Sequence, residues 1–254
     1  MPKLSSVKRV LYDMGHNQDL MVDPALIRER LSDVRQQIEK TARRCNRAPE
    51  EICLVAIGKT YPPEVLQAAI EAGVTDLGEN RVQEAEGKIT ALGRHTVRWH
   101  LVGHLQANKS RRAVKLFDLI HSVDSIALAQ RLDRLCVEAS RDELPVLIQV
   151  ELGQEETKSG VDEKDLNSLV DAVAECQRLR LSGLMTLPPF FDNPEDARPF
   201  FSRLRKIRDE LAGKGVFQGR GELSMGMTHD FVVAIEEGAT MVRIGTAIFG
   251  QRRQ

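Results

Sequence analysis

Neither sign of charge prevails in this sequence: 36 basic residues stand against 37 acidic ones, a net charge of -1. With no field along the whole chain to recruit nucleic acid or an anionic membrane, a small ligand is the expectation. Paired cysteines are absent as well. Cys45, Cys53, Cys136 and Cys176 are scattered, form no CxxC, and sit in apolar or helical-looking segments as reduced core thiols do, which points to the cytoplasm. No run is apolar enough to span a bilayer, and residues 1–20 hold basic side chains without the continuous apolar stretch of a secretion signal. They read as a disordered leader. Residues 21–254 carry no Gly/Ser-rich linker, charge block or low-complexity run that would mark a boundary, so a single domain is expected there.

A chain of 254 residues at 42% hydrophobic can bury a sizeable core, and its pattern alternates between strand and helix. Ile27, Leu31, Val34, Ile38 and Ala42 form one stripe of an amphipathic helix between Pro24 and Arg47, opened by Asp23 and Pro24. Residues 52–60, ICLVAIGKT, follow as a strand buried on both faces. Pro62 and Pro63 then open a helix that Gly73 closes. Onward the chain reads as strand TDLGEN, helix RVQEAEGKITAL, strand VRWHLVGH, helix ANKSRRAVKLF, strand LIHSVDS, helix IALAQRLDRLCVEAS, strand LPVLIQVEL and a helix over residues 163–176. Strand LRLSGLMTL, a long helix around residues 193–212, strand ELSMGM, helix DFVVAIEEG and strand MVRIGTAIFG complete it. Eight strands, nearly all followed by a helix, predict an α/β fold, a single (β/α)8 TIM barrel with an extra N-terminal helix. An open doubly wound sheet is the other arrangement of such a pattern.

Two stretches invite chemistry. Lys59 ends the first strand at the mouth of a core, where lost hydration disfavours the ammonium and leaves an amine able to attack a carbonyl. A strand-end lysine snorkelling to water is the alternative. In a barrel the active site lies at the carboxyl ends of the strands, and the last two loops often hold phosphate. There the chain has Ser224-Met225-Gly226-Met227-Thr228 and Arg243-Ile244-Gly245-Thr246, small residues and hydroxyls suited to a phosphate cup. Two glycine turns with an arginine paired to an acid would look the same. Closing a barrel makes the first and eighth strands neighbours, which would set Lys59 beside the cup. A lysine able to form a Schiff base next to a phosphate site is what pyridoxal 5'-phosphate (PLP) requires.

The GKTYP segment at Lys59 is followed by LGEN (Gly78, Glu79, Asn80) and WHLVGHLQANK (His100, Gly103, Gln106, Asn108, Lys109). Then come the KSG of residues 158–160, GLM at 183–185, SMGMTHDF and VRIGTAIFG. In this order, over residues 52–250, the chain resembles the pyridoxal phosphate homeostasis protein family, PLP-binding relatives of the alanine racemase barrel. The resemblance implies that Lys59 holds PLP as an internal aldimine and that Arg243 faces the pyridine nitrogen. It implies that Ser224, Met225, Gly226, Gly245 and Thr246 hold the phosphate and that Asn80 lines the pocket. Intracellular PLP homeostasis without substantial turnover is the implied function. A cation at the ring nitrogen opposes its protonation and weakens the ring as an electron sink. Implied partners are free amino acids and PLP-dependent apo-enzymes, with the protein a monomer or a homodimer. Gly58 departs from the serine expected before the lysine in much of the family, at the loss of one hydroxyl contact.

Gly58-Lys59-Thr60 also matches the end of a GxxxxGK[ST] phosphate loop. Cys53 stands where the first glycine belongs, however, and residues 54–57 are strand interior. Lys158-Ser159 follows Thr157 where that motif needs glycine. His100 and His104 have the four-residue spacing of helical metal ligands inside what reads as a strand, so they read as core or loop histidines. Glu79 and Glu151, near strand ends, would make a glycosidase pair only at a fixed separation. The serious rival is a PLP-dependent amino-acid racemase of the same barrel type. Such enzymes add a β-rich domain supplying a catalytic tyrosine across a dimer interface. Here the sequence ends at Gln254 and offers only Tyr12 and Tyr61, so a carrier is expected over a racemase, which needs an acid/base partner.

Overall fold

The computed structural model describes residues 23–153 and 159–251. The expected leader and Lys158 of the KSG segment lie outside the described residues. Helix α1 (Pro24–Arg44) begins where Asp23 accepts a hydrogen bond from the Ala25 amide at 2.8 Å and Pro24 supplies a preset φ. Its stripe of Ile27, Leu31, Val34, Ile38 and Ala42 is buried as the spacing predicts. This face packs on α2 (Pro63–Glu71), α8 (Phe231–Glu236) and α9 (Thr246–Phe249), covering the seam between the first and last strands.

The strands are β1 (Cys53–Ile57), β2 (Asp76–Glu79), β3 (Arg98–Leu101), β4 (Leu119–Val123), β5 (Leu144–Glu151), β6 (Val161–Asp162), β7 (Leu179–Met185), β8 (Glu222–Met227) and β9 (Met241–Ile244). All pairings are parallel, in the order β1-β2-β3-β4-β5-β7-β8-β9, and β9 returns to β1 with Val55 opposite Arg243. The β4–β5 and β1–β9 pairings close the eight-stranded barrel and exclude an open sheet. Two-residue β6 sits on the end of β5, outside the ring. Helices α3 (Val82–Leu92), α4 (Ser110–Leu116), α5 (Ile126–Glu138), α6 (Leu166–Ala174) and α7 (Arg198–Gly213) complete the outer layer.

Some boundaries differ from the pattern reading. The last strand stops at Ile244, and residues 246–249 turn into α9, burying Ile248 and Phe249. A continuous apolar run carries no period to tell strand from helix, which is why MVRIGTAIFG reads as one strand. β3 ends at Leu101, so His104 lies in the following loop. The helices expected at 107, 163 and 193 each open as a short 3-10 turn before α4, α6 and α7.

Side-chain alternation then sorts the barrel into an inside and an outside. Leu54, Ala56, Leu77, Met225, Val242 and Ile244 pack outward among the helices. Val55 and Ile57 pack inside with Val102, and Leu119, Leu147, Met185 and Met241 form a second interior cluster. The interior also holds a row of buried polar residues: Asp76, His100, His121, Ser224 and Arg243.

Candidate functional site

Lys59 sits half-buried in the turn that follows β1. That turn is strained and tightly held: Thr60 has φ +70, rare for a β-branched residue. Its amide donates to Glu84, and the Gly58 carbonyl accepts from Lys88 Nζ at 2.7 Å. Lys88, from α3, also reaches Glu79 at 2.8 Å and Glu84 at 2.7 Å. Both Lys88 and Glu79 are buried. Burial pushes the Glu79 carboxyl up to about 7 against the pull of Lys88, and its Oε2 has no hydrogen-bond partner among the described residues. For Glu84 the Lys88 and Thr60 hydrogen bonds outweigh the cost of burial and hold the carboxyl below its usual range. Gly58 fits this crowding, because a Cβ there would come within 2.8 Å of Glu79 Oε1 and of Leu66 Cδ2. A serine at that position would therefore crowd Glu79 and Leu66. Glu79 thus belongs to a structural ion cluster, and Glu151 accepts from the Gly153 amide.

Across the seam, the loop after β8 and the start of α9 face each other. Gly226 adopts φ +90 and a Cβ on it would meet Ala234 Cβ at 2.5 Å, so only glycine suits this corner. The Met227 amide donates to Asp230 at 2.6 Å, and Thr228 Oγ1 accepts from the Gly245 amide at 3.4 Å, joining the two loops. Thr246 is exposed beside Gly245. Tyr61, two residues past Lys59, donates its hydroxyl to the Gly250 carbonyl at 2.8 Å and packs on Phe249 with ring centroids 4.9 Å apart. This latch fixes the lysine turn to the last loop. Asn80, half-buried, follows β2, the strand paired with β1.

The Ser224 hydroxyl is committed inside the barrel, 2.6 Å from Arg243 Nη1 and 2.8 Å from His121 Nδ1. Met225 points outward into the helix layer, so only its backbone is available to the cup. Arg243 is 4% exposed and also donates to the Thr186 carbonyl at 2.9 Å. Burial lowers it to about 10 while Asp230 draws it back up, which leaves it cationic at neutral pH. Burial, helped by His100 and Arg243, holds His121 well below the usual imidazole range and therefore neutral. His100 is a core histidine, bonded to His121 and Asp76, and His104 is a loop histidine bonded to Asp124. His121 and Thr186 escaped the sequence reading, and nothing local announces them, whereas Thr228 stood in the cup stretch with no role of its own.

The arrangement has counterparts in known proteins. The alanine racemase N-terminal domain matches residues 30–253. The pyridoxal phosphate homeostasis protein of Aquifex aeolicus is 44% identical over 225 residues, covering 89% of this chain and 98% of that one. Its namesake from Escherichia coli K12 is 43% identical over 233 residues, with coverage of 89% and 97%. PipY of Synechococcus elongatus PCC7942, solved with PLP bound, superposes with a TM-score of 0.78 at 37% identity, over 88% of this chain and all of PipY. The chain belongs to the alanine racemase N-terminal domain family and, within it, to the pyridoxal phosphate homeostasis proteins.

Proposed function

We propose that this chain binds PLP at the carboxyl-end mouth of its barrel, with Lys59 as the covalent anchor, and keeps the cofactor available in the cytoplasm without turning over a substrate. The observation that carries this reading is Arg243. Its guanidinium meets a hydroxyl and a carbonyl, forms no ion pair among the described residues, and has N–H donors to spare for a neutral acceptor such as a pyridine nitrogen. The name of the relatives and the PLP in PipY agree with it. Four free cysteines, and the absence among the described residues of a helix long and apolar enough to cross a membrane, support the cytoplasm.

When bound, PLP supplies an aldehyde that an amine can capture and a ring able to draw electrons. Lys59 offers its amine from a turn whose backbone Lys88 and Glu84 hold in place. Gly226, Thr228, Gly245 and Thr246 suit the phosphate, Met225 adds backbone only, and Asn80 lines the mouth. Ser224 acts from below by fixing Arg243, whose charge opposes a proton on the ring nitrogen. Free amino acids would compete with Lys59 for the aldehyde carbon, and apo-enzymes would accept what is released. A racemase needs a proton carrier on each face of the substrate. The Tyr61 hydroxyl is engaged with Gly250, which favours the carrier reading.

Borohydride treatment of the PLP-loaded protein, followed by peptide mass spectrometry, should find the adduct on Lys59 and none in Lys59→Ala. An adduct confined to Lys109 or another lysine would refute the anchor. Replacing Thr228 and Thr246 together by alanine should weaken PLP retention about tenfold or more, since a hydrogen bond to a charged group contributes about 1.5–3 kcal/mol. In deuterated water with L- or D-alanine, α-proton exchange should stay far below the ~1 s⁻¹ of ordinary enzymes. Exchange at that rate would restore the racemase.

A further inference from the structure

A buried guanidinium needs a counter-charge, and the one bonded to Arg243 is distant. Four contacts run from it through the barrel interior: Arg243 Nη1 to Ser224 Oγ at 2.6 Å, Ser224 Oγ to His121 Nδ1 at 2.8 Å, His121 Nε2 to His100 Nδ1 at 2.9 Å, and His100 Nε2 to Asp76 Oδ1 at 2.9 Å. Both histidines and Ser224 are fully buried. We propose that Asp76, His100 and His121 are positioning residues of the cofactor site: a one-way hydrogen-bond chain by which a carboxylate at the amino-terminal end of the barrel orients and balances Arg243. The proposal rests on the reading of Arg243 as the partner of the PLP ring.

The direction of the chain follows from its ends. A guanidinium only donates and a carboxylate only accepts. If each contact holds one proton, Ser224 must donate to His121 Nδ1, His121 must donate from Nε2 to His100 Nδ1, and His100 must donate from Nε2 to Asp76. Both imidazoles are then neutral with the proton on Nε2. A proton added to His121 would displace the Ser224 hydroxyl proton and put a second cation beside Arg243. Head-to-tail dipoles in a dry interior polarise one another, so the negative end is felt at Arg243 more strongly than its distance suggests.

Asp76 is suited to be that end. Burial works against its charge, yet hydrogen bonds from His100 and from Thr75 Oγ1, at 2.7 Å, together with Arg98 Nη1 at 3.5 Å, hold it below the usual carboxylate range. It opens β2 beside Arg98, which opens β3 and is largely exposed. The acid that raises Arg243 through space is Asp230, in the cup loop, which accepts from the Met227 amide. The chain and the Thr186 carbonyl together fix Nη1 and Nη2, and so the plane in which Arg243 presents its remaining donors.

Two measurements test this, one without cofactor. Imidazole nitrogen NMR of the ligand-free protein should show His100 and His121 both neutral with the proton on Nε2; an Nδ1 proton or an imidazolium at either residue overturns the chain. In an equilibrium titration, Asp76→Asn should weaken PLP retention about fivefold or more, the lower end for coupled sites, and shift the absorbance of the bound cofactor. Borohydride should still trap at Lys59, and Asp76→Glu should recover much of the retention. A folded Asp76→Asn protein with unchanged retention and spectrum refutes the positioning role. If no adduct forms on Lys59 in the wild type, the PLP reading fails, and the NMR result still decides the chain.

Discussion

Two buried cations lie on opposite sides of the barrel wall, and their charges are met in opposite ways. Outside the wall, Lys88 touches two carboxylates and a carbonyl directly. Inside it, Arg243 touches only a hydroxyl and a carbonyl among the described residues, and its bonded carboxylate is four contacts away. Direct pairing commits all three ammonium protons to the fold, and what it fixes is backbone, the turn around Lys59. A chain of neutral groups instead steadies Arg243 while leaving donors uncommitted. On the proposed reading of Arg243, the contrast separates a charge kept for structure from one kept for a ligand.

The largest expected effect breaks the outer pair. Lys88→Met leaves Glu79 and Glu84 without their cation and the Gly58 carbonyl without its donor. Removing one side of a buried ion pair costs about 3–5 kcal/mol, readable as the free energy of urea unfolding at pH 8. Arg243→Met removes a cation with neutral partners, so it should cost clearly less stability while losing PLP. Equal destabilisation by the two would erase the distinction between them.

A smaller effect comes with pH. Between the ordinary 4.5 and about 7, the folded chain keeps a proton on Glu79 that the unfolded chain has released. Stability therefore falls as pH rises through that window and levels off above it, by roughly 3 kcal/mol. His121, depressed in the fold, gives the opposite slope below about 6.5, because there the unfolded chain binds the extra proton. The quantity to read is thus the difference between wild type and Glu79→Gln at pH 5, 6, 7 and 8. It should move in favour of the variant as pH rises. A flat difference would mean that Glu79 is ionised throughout and that Lys88 offsets its burial in full.

The barrel was legible because hydrophobic period and turn residues change together at each strand and helix, and closure follows from eight such units. Lys59 was legible for the same reason: an apolar strand ending in lysine has few places to be. What could not be read was the side of the wall on which a residue falls. Ser224 and Met225 look equally like cup residues, yet one turns inward to Arg243 and the other outward to the helices. Lys88 looks like the solvent face of α3 until Glu79, nine residues earlier, is brought beneath it. His100 and His121 lie 21 residues apart and meet only because β3 and β4 are neighbours. Such pairings depend on register, and register is a property of the closed sheet.

The smallest effect concerns the latch between the lysine turn and the last loop, where the structural and functional sides meet. Tyr61→Phe removes the hydroxyl donated to Gly250 and keeps the ring on Phe249. Gly250 is half-buried, so its carbonyl can turn to water, and the net loss should be about 0.5–1 kcal/mol, that of one ordinary hydrogen bond. PLP retention should weaken by no more than about fivefold, since 1 kcal/mol corresponds to that ratio. The same variant separates a latch from a proton carrier. A tyrosine that moved the α-proton would take the exchange of one alanine enantiomer with it, whereas a latch leaves the slow background exchange of both as it was. Loss of exchange with unchanged stability would assign Tyr61 to chemistry and return the protein to the racemases.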